Sequence, residues 1–346
     1  MRRLVILALF VLLLATPINA IEFTAPQAPD AAQKYISDET DSFADGLSYI
    51  LRTAVSELMP EIKNAVSNCV TLTFVSMLVG VMQALSPKIS PLTELIGVAG
   101  IALVLTKQAN TFIELGIGSI QQLSQYGKVL IPVMTSALAA QGGITSASAI
   151  YTATVVFDAV LSAVISRFMV PLIYVFLCLC ISNCICQNNL IHELRKFIKW
   201  ILTWILKLSL YLFTGFITIT GVISGSADSS AIKATKIALS GMVPVVGGII
   251  SDASETVLLS VGVMKNTAGV FGVLVFIGLV ISPFMRIAVQ HIVLKITSAF
   301  CSIFHAKRCM DLIDDYSYVM ALLLAMTGTM CLLHLISTVC FMKGVA

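Results

Sequence analysis

Ionisable side chains inside apolar runs are the residues of this sequence that could do chemistry. They are Glu94, Asp158, Arg167, Lys207 and Arg286, and charges inside a membrane are costly and often functional. Glu94, Arg167 and Lys207 lie near the ends of their runs, where a side chain can reach the interface. Asp158 is the most central. It either faces a polar cavity, or pairs with Arg286 or Lys207, or makes a structural hydrogen bond between helices.

Four cysteines close in sequence form a second cluster: Cys178, Cys180, Cys184 and Cys186. Four thiols could bind zinc or an iron–sulfur cluster. Their Cys-x-Cys spacing differs from the usual Cys-x2-Cys, and residues two apart on a helix point about 200° from each other. The sequence therefore favours small buried residues at a helix end over a metal site.

Signatures of soluble catalysis are missing from the sequence. His192-Glu193 begins like a zinc-protease motif, but Lys196 stands where the second histidine belongs. No glycine-rich phosphate loop is followed by Lys-Ser or Lys-Thr, and no Gly-x-Ser-x-Gly turn is present. We therefore expect no enzyme, no ATP site and no cofactor.

The composition indicates that most of this chain is embedded in lipid. Of its 346 residues, 58% are hydrophobic and 11% are charged, whereas soluble proteins carry about 25% charged residues. The net charge of +3 gives no sign of nucleic-acid binding. Arg2 and Arg3, the apolar run Leu4–Leu14 and Pro17 predict a cleavable signal peptide over residues 1–20. An uncleaved anchor helix is the alternative.

The rest of the chain divides into two parts. Residues 21–64 predict an acidic extracytoplasmic segment, with an amphipathic helix from about Asp41. Residues 65–346 predict an all-α transmembrane helix bundle with about seven or eight spans. The apolar runs are Ala65–Leu85, Leu92–Phe112, Lys128–Ala140, Ser148–Ser166, Phe168–Ile185, Phe197–Ile223, Gly269–Ile292 and Val319–Met342.

Basic stretches predict the orientation of the bundle. Gln187–Lys199 and Lys295–Ser317 are rich in lysine and arginine, and short basic loops face the cytoplasm. With the N-terminus outside, eight spans place both stretches inside and the C-terminus outside. Each stretch either determines topology or docks a cytoplasmic partner.

Two stretches are crowded with small residues, which favour tight helix contact over lipid exposure. The first runs from Pro132 to Ser148. The second, Gly221–Gly272, mixes charges into apolar sequence and contains Pro244 beside paired glycines. It is either a re-entrant element lining a passage or an interfacial loop with short amphipathic helices. The candidate functional or packing residues are Pro132, Thr135, Gly142, Asp158, Gly225, Asp228, Lys233, Lys236, Pro244, Gly247, Gly248, Asp252, Glu255, Gly269 and Gly272.

These two stretches resemble the hallmarks of a known family. Pro132-Val-Met-Thr, followed by Ala139-Ala140-Gln-Gly, looks like the first hallmark of the stage III sporulation protein AE family. The second hallmark is resembled by Ser224-Gly-Ser-Ala-Asp228, Lys233 and Lys236, Val243-Pro-Val-Val-Gly-Gly248 and Ser251-Asp-Ala-Ser-Glu255, and Asn266-Thr-Ala-Gly-Val-Phe-Gly272 continues it.

The resemblance implies a membrane subunit of a sporulation-specific secretion or feeding-channel complex, which links mother cell and forespore and is needed for forespore development. The implied location is the mother-cell membrane around the forespore. The implied partners are other stage III sporulation operon proteins, including a cytoplasmic ATPase and ring-forming proteins, and a forespore partner across the intermembrane space. A stand-alone secondary transporter of a small solute is the alternative, since broken helices and Asp158 would serve one equally well.

Overall fold

The computed structural model describes residues 26–36, 43–85, 90–186, 188–209, 211–213, 215, 247–304 and 306–343; the side chains of residues 90, 91 and 247–265 are excepted. Within these ranges nearly every residue is helical and none is in a strand, which confirms the all-α class. The predicted signal peptide lies outside the described residues.

The described helices are numbered in chain order. Four of them exceed 30 residues, two more join through a π-helical turn into a stretch of that length, and α1 is a single turn. Their bounds are α1 Asp30–Gln33, α2 Phe43–Leu85, α3 Ser90–Ala140, α4 Ile144–Val164, α5 Val170–Cys186, α6 189–209, α7 Gly247–Ile303 and α8 Lys307–Lys343, with a π-helical turn Ile165–Met169 joining α4 to α5.

Several of these helices are long and apolar enough to cross a membrane. A bilayer crossing needs about 20 residues, and the shortest of the qualifying stretches has 37 residues. The finding supports a membrane protein, while the count of seven or eight spans stays a prediction. The qualifying stretches among the described residues are Phe43–Leu85, Leu92–Ala140, Ile144–Cys186, Asn266–Ile303 and Lys307–Lys343.

The predicted break at Arg167 is wrong. Instead of two separate spans, Ser148–Ser166 and Phe168–Ile185, the chain is helical throughout Ile144–Cys186. Arginine is a good helix former, so a charge that interrupts an apolar run does not interrupt the helix. The interruption is marked only by the π-helical turn Ile165–Met169.

Helices α2 and α3 likewise join segments that the sequence separates. The amphipathic helix expected from about Asp41 and the span Ala65–Leu85 form the single helix α2. The runs Leu92–Phe112 and Lys128–Ala140 both belong to α3. Pro60 lies inside α2 without ending it, because the neighbouring hydrogen bonds hold the helix on both sides of a proline kink.

Helix α8 lies at the centre of the described bundle and is buried on most of its circumference, as expected for a helix surrounded by others. Helix α3 runs parallel to α8. Thr106 contacts Tyr316 through their hydroxyl groups at 2.7 Å, and further along both helices Gly127 lies against His334.

The rod formed by α4 and α5 runs antiparallel to α8. Near its start Thr154 donates a hydrogen bond to Ser337 at 2.7 Å. Near its end the thiol of Cys184 lies 3.5 Å from the carbonyl oxygen of Arg308. Asp158 on α4 therefore faces the second half of α8.

Ion pairs gather the two predicted basic stretches at one end of the bundle. Arg195 of α6 pairs with Asp315 of α8 at 2.5 Å, and Arg308 pairs with Glu94 of α3 at 2.9 Å. We call these four residues the polar end. If both basic stretches face the cytoplasm, as predicted, they must lie at the same end of the bundle, and they do. Which side of the membrane this end faces stays a prediction.

The segment before α2 is docked on the bundle. Ala32 and Tyr35 are fully buried and lie against Gly278 of α7. Lys34 pairs with Glu57 of α2 at 2.8 Å, and this hydrogen bond raises the pKa of Lys34. The acidic segment thus contributes to the helix core around α7.

Candidate functional site

Asp158 lies where three helices meet. Ser124 of α3 donates a hydrogen bond to Oδ2 of Asp158 at 2.8 Å. On the other side, Nε2 of His334 on α8 lies 3.2 Å from Oδ1. The Asp158 side chain is 7% exposed and that of His334 is 0% exposed. A carboxyl group and an imidazole therefore share a site inside the helix bundle.

The predicted partners of Asp158 are wrong. Arg286 pairs instead with Glu61 of α2 at 3.1 Å, and Lys207 is exposed on α6. Helix α7 runs in the opposite direction to α3 and α8, so Arg286 lies nearer the polar end than Asp158 does. The charge that Asp158 meets is a histidine, which is cationic only when protonated.

Rigid neighbours hold the imidazole of His334 in place. The ring stacks on Phe276 with centroids 4.8 Å apart and planes 10° apart. On the other side, a Cβ added at Gly127 would lie 2.8 Å from Nδ1 of His334. Glycine at this position is what lets α3 approach the ring.

Several buried polar atoms of this site make no hydrogen bond with protein groups. They are the hydroxyl of Tyr126, Oδ1 of Asp158 and both ring nitrogens of His334. The 3.2 Å contact between Asp158 and His334 is thus an ion-pair distance without hydrogen-bond alignment. Because buried polar atoms are nearly always paired, these atoms need a partner such as a water molecule, an ion or a ligand, or they store strain.

A groove of about 360 Å³ opens beside Asp158 between α3 and α4. Its size is within the range of small-ligand sites. Asp158 lies on the groove wall, and two exposed cations, Lys128 and Arg167, lie along the same groove. Neither cation forms an ion pair with a described residue. Other polar lining residues are Ser124, Ser162 and Ser166.

The arrangement suits proton or charge handling better than acyl transfer. A catalytic serine needs a hydrogen bond to the imidazole that removes its proton. Here Ser124 bonds to Asp158, and His334 contacts the other oxygen of the same carboxyl group. The imidazole is therefore not placed to remove the proton of Ser124, and the site instead holds a carboxyl group and an imidazole at ion-pair distance.

The family comparison covers this site. The family described as Stage III sporulation protein AE (spore_III_AE) matches residues 30–344, which include every element of the described bundle. The chain belongs to the stage III sporulation protein AE family. Stage III sporulation protein AE of Bacillus subtilis (strain 168) is 24% identical over 181 residues, covering 52% of this chain and 45% of that relative. The match thus spans less than half of the relative's length. No solved structure matches the chain.

Some family-motif residues have packing roles in the structure. Gly142 has a φ of 91° and ends α3, which requires the left-handed backbone that glycine adopts freely. A Cβ at Gly269 would lie 2.7 Å from the sulfur of Met342, and one at Gly272 would overlap Leu130. Both glycines thus lie at close helix contacts, while their role as motif residues stays a prediction.

Pro132 and Thr135 lie on α3 outside the groove. Pro132 is exposed, and the hydroxyl of Thr135 donates to the carbonyl oxygen of Ile131 at 2.7 Å. Both residues thus shape the local helix rather than face Asp158. Their family role stays a prediction.

The second motif is only partly within the described residues. Its portion from Gly247 onward belongs to the continuous helix α7, so it forms neither a re-entrant break nor a loop with short helices. The side chains of Gly247, Gly248, Asp252 and Glu255 on that helix are not described. The remaining predicted residues, Gly225, Asp228, Lys233, Lys236 and Pro244, lie outside the described residues.

The four clustered cysteines do not converge. Cys180 and Cys184 are buried one turn apart on the face of α5 toward α8, whereas Cys178 and Cys186 are exposed. The helix thus separates the thiols into two faces, as the Cys-x-Cys spacing predicts.

Sequence reasoning missed His334, Ser124 and Lys128 as site residues. His334 carried a usable signal, because it is an ionisable residue in the middle of the predicted span Val319–Met342. Ser124 and Lys128 lie one turn apart on α3. The sequence has no signal that marks them as site residues, because their role depends on their position opposite Asp158 in the fold.

Proposed function

We propose that this protein is a polytopic membrane subunit of a sporulation-specific secretion or feeding-channel complex that links mother cell and forespore. The observation that carries the proposal is the family match over residues 30–344, in a chain whose described helices are long and apolar enough to cross a membrane. Family membership supports a role in sporulation. The channel complex and its position are the proposed part.

The proposed location is the mother-cell membrane around the forespore. The proposed partners are a cytoplasmic ATPase and ring-forming proteins of the same operon, and a forespore protein across the intermembrane space. Two features support a partner-dependent role. The sequence has no phosphate-binding loop of its own, and the two basic stretches lie together at the polar end, where a cytoplasmic partner would dock.

The polar end also limits which residues can dock that partner. Arg195 and Arg308 are already paired with Asp315 and Glu94 inside the bundle, so they hold helices together. Lys196 is exposed, and among the described residues its ion pair is with Glu193 in its own helix. A docking surface at this end would therefore use Lys196 and its exposed neighbours on α6.

The test is a pull-down of tagged protein from sporulating cells, solubilised in mild detergent, with partners identified by mass spectrometry. We expect the operon's ATPase and ring-forming proteins to be enriched over an unrelated polytopic membrane protein carrying the same tag. Recovery of the protein alone, under conditions that retain known membrane complexes, would contradict the proposal.

A stand-alone secondary transporter of a small solute is the second candidate. The groove beside the Asp158–His334 pair favours it, since transporters place ionisable groups at substrate sites within the bundle. Against it, the sequence has no convincing internal repeat. Solute uptake into vesicles that contain only this protein would support the transporter and count against an obligate complex.

A further inference from the structure

The groove between α3 and α4 carries an excess of positive charge. Lys128 and Arg167 lie along it without an acidic partner among the described residues. Asp158 carries at most one negative charge, so it can offset only one of these two cations. The groove is therefore suited to an anionic group.

Arginine and serine side chains give this groove the chemistry of a phosphate site. A guanidinium group binds phosphate oxygens through two parallel hydrogen bonds, and lysine adds a mobile point charge. The hydroxyl groups of Ser162 and Ser166 line the same wall as Arg167 and can donate further hydrogen bonds to phosphate oxygens.

The surface around the groove is apolar and exposed. Val155, which lines the groove, is 40% exposed, Phe168 next to Arg167 in the chain is 61% exposed, and Val129 next to Lys128 is 55% exposed. All of these residues belong to helices that are long and apolar enough to cross a membrane. A ligand that fits both features has an anionic head and apolar chains.

We propose that the groove binds an anionic phospholipid, with Lys128 and Arg167 holding its phosphate and the acyl chains lying on the apolar rim. Basic pockets between membrane helices recognise lipid head groups in this way. A free phosphate ion would satisfy the cations but would leave the rim uncovered. The inference depends on the groove alone and is independent of the proposed sporulation complex.

The experiment is native mass spectrometry of the purified full chain with added phosphatidylglycerol, phosphatidylcholine or inorganic phosphate. The test variant is Lys128→Gln with Arg167→Gln. A matched control, Lys196→Gln with Lys207→Gln, removes the same charge from exposed positions on α6. A charge-conserving variant, Lys128→Arg with Arg167→Lys, shows whether the altered chain folds and whether charge alone is sufficient.

We expect phosphatidylglycerol to be retained in preference to phosphatidylcholine, and the test variant to lose roughly tenfold or more of that retention, since each basic residue contributes about 1 kcal/mol near anionic lipid. The α6 control and the charge-conserving variant should keep retention near the wild-type level. Equal retention by the test variant and the wild type would overturn the proposal. So would inorganic phosphate that displaces the lipid fully, because the ligand would then be a soluble phosphate.

Discussion

Two aspartates of this protein have equally buried side chains, each 7% exposed, but in different surroundings. Asp315 at the polar end accepts a hydrogen bond from Arg195, a permanent cation, at 2.5 Å. Asp158 faces His334, whose charge depends on protonation, and lies on the wall of an open groove. The two aspartates are thus equally buried, but one is paired with a permanent cation and the other faces a titratable group.

The comparison separates a structural acid from a functional candidate. At the polar end, Asp315 and Glu94 are each matched by an arginine from another helix, so the charges cancel inside the bundle. At the groove, the acid is matched by a titratable group, and two further cations, Lys128 and Arg167, have no acidic partner among the described residues. A buried acid that loses its cation is strongly destabilising, whereas uncancelled charges beside a cavity can bind a ligand.

The largest expected effect is at the polar end. Arg195→Ala leaves the carboxylate of Asp315 buried without its cation, which should lower the free energy of unfolding by about 3–5 kcal/mol. Thermal or denaturant unfolding in detergent measures the loss.

The matched control for this change is Lys295→Ala. Lys295 pairs with Asp314, and both side chains are substantially exposed, so the loss should be about 0–1 kcal/mol. Equal losses for Arg195→Ala and Lys295→Ala would show that the buried Arg195–Asp315 pair contributes no more to stability than an exposed ion pair does.

A smaller effect is expected where α3 approaches the histidine. Gly127→Ala places a methyl group against the imidazole of His334, which Phe276 prevents from moving away. Overpacking of this kind costs about 1–3 kcal/mol.

Gly118 on the same helix provides the control, because a Cβ there meets no atom within 4 Å. Gly118→Ala should be neutral or should stabilise the helix by up to about 1 kcal/mol. If both alanine variants unfold alike, the close approach of α3 to His334 is not real.

The smallest effect is expected from a single hydrogen bond at the groove. Ser124→Ala removes the donor to Asp158 and should cost about 1 kcal/mol. Ser119 donates only to the Leu115 carbonyl of its own helix, so Ser119→Ala should change the unfolding midpoint less. A midpoint shift at Ser119 as large as at Ser124 would argue against a specific Asp158 site.

Sequence patterns predicted the all-α class and singled out Asp158, which lies in a buried polar site, because apolar runs and intramembrane charges are local signals. They misplaced helix boundaries, since Arg167 interrupts hydrophobicity without interrupting backbone hydrogen bonds. Hydropathy measures preference for lipid, whereas helix continuity depends on the backbone.

The partner of Asp158 could not be read from the sequence. His334 is far from it along the chain, and which helices become neighbours depends on packing of the whole bundle. Gly118 and Gly127 make the same point, because both are glycines of α3 and only one of them faces a ring. Spacing along one helix cannot distinguish the two positions.

The central claim is that Asp158 and its groove are needed for the protein's role in sporulation, while exposed charges elsewhere are not. The most direct measurement is the yield of heat-resistant spores from a strain whose own copy carries Asp158→Asn, with Asp314→Asn as control and with membrane protein levels checked by immunoblot. We predict that Asp158→Asn falls far below the wild-type spore yield at a normal protein level, and that Asp314→Asn does not. A wild-type yield from Asp158→Asn would contradict the account.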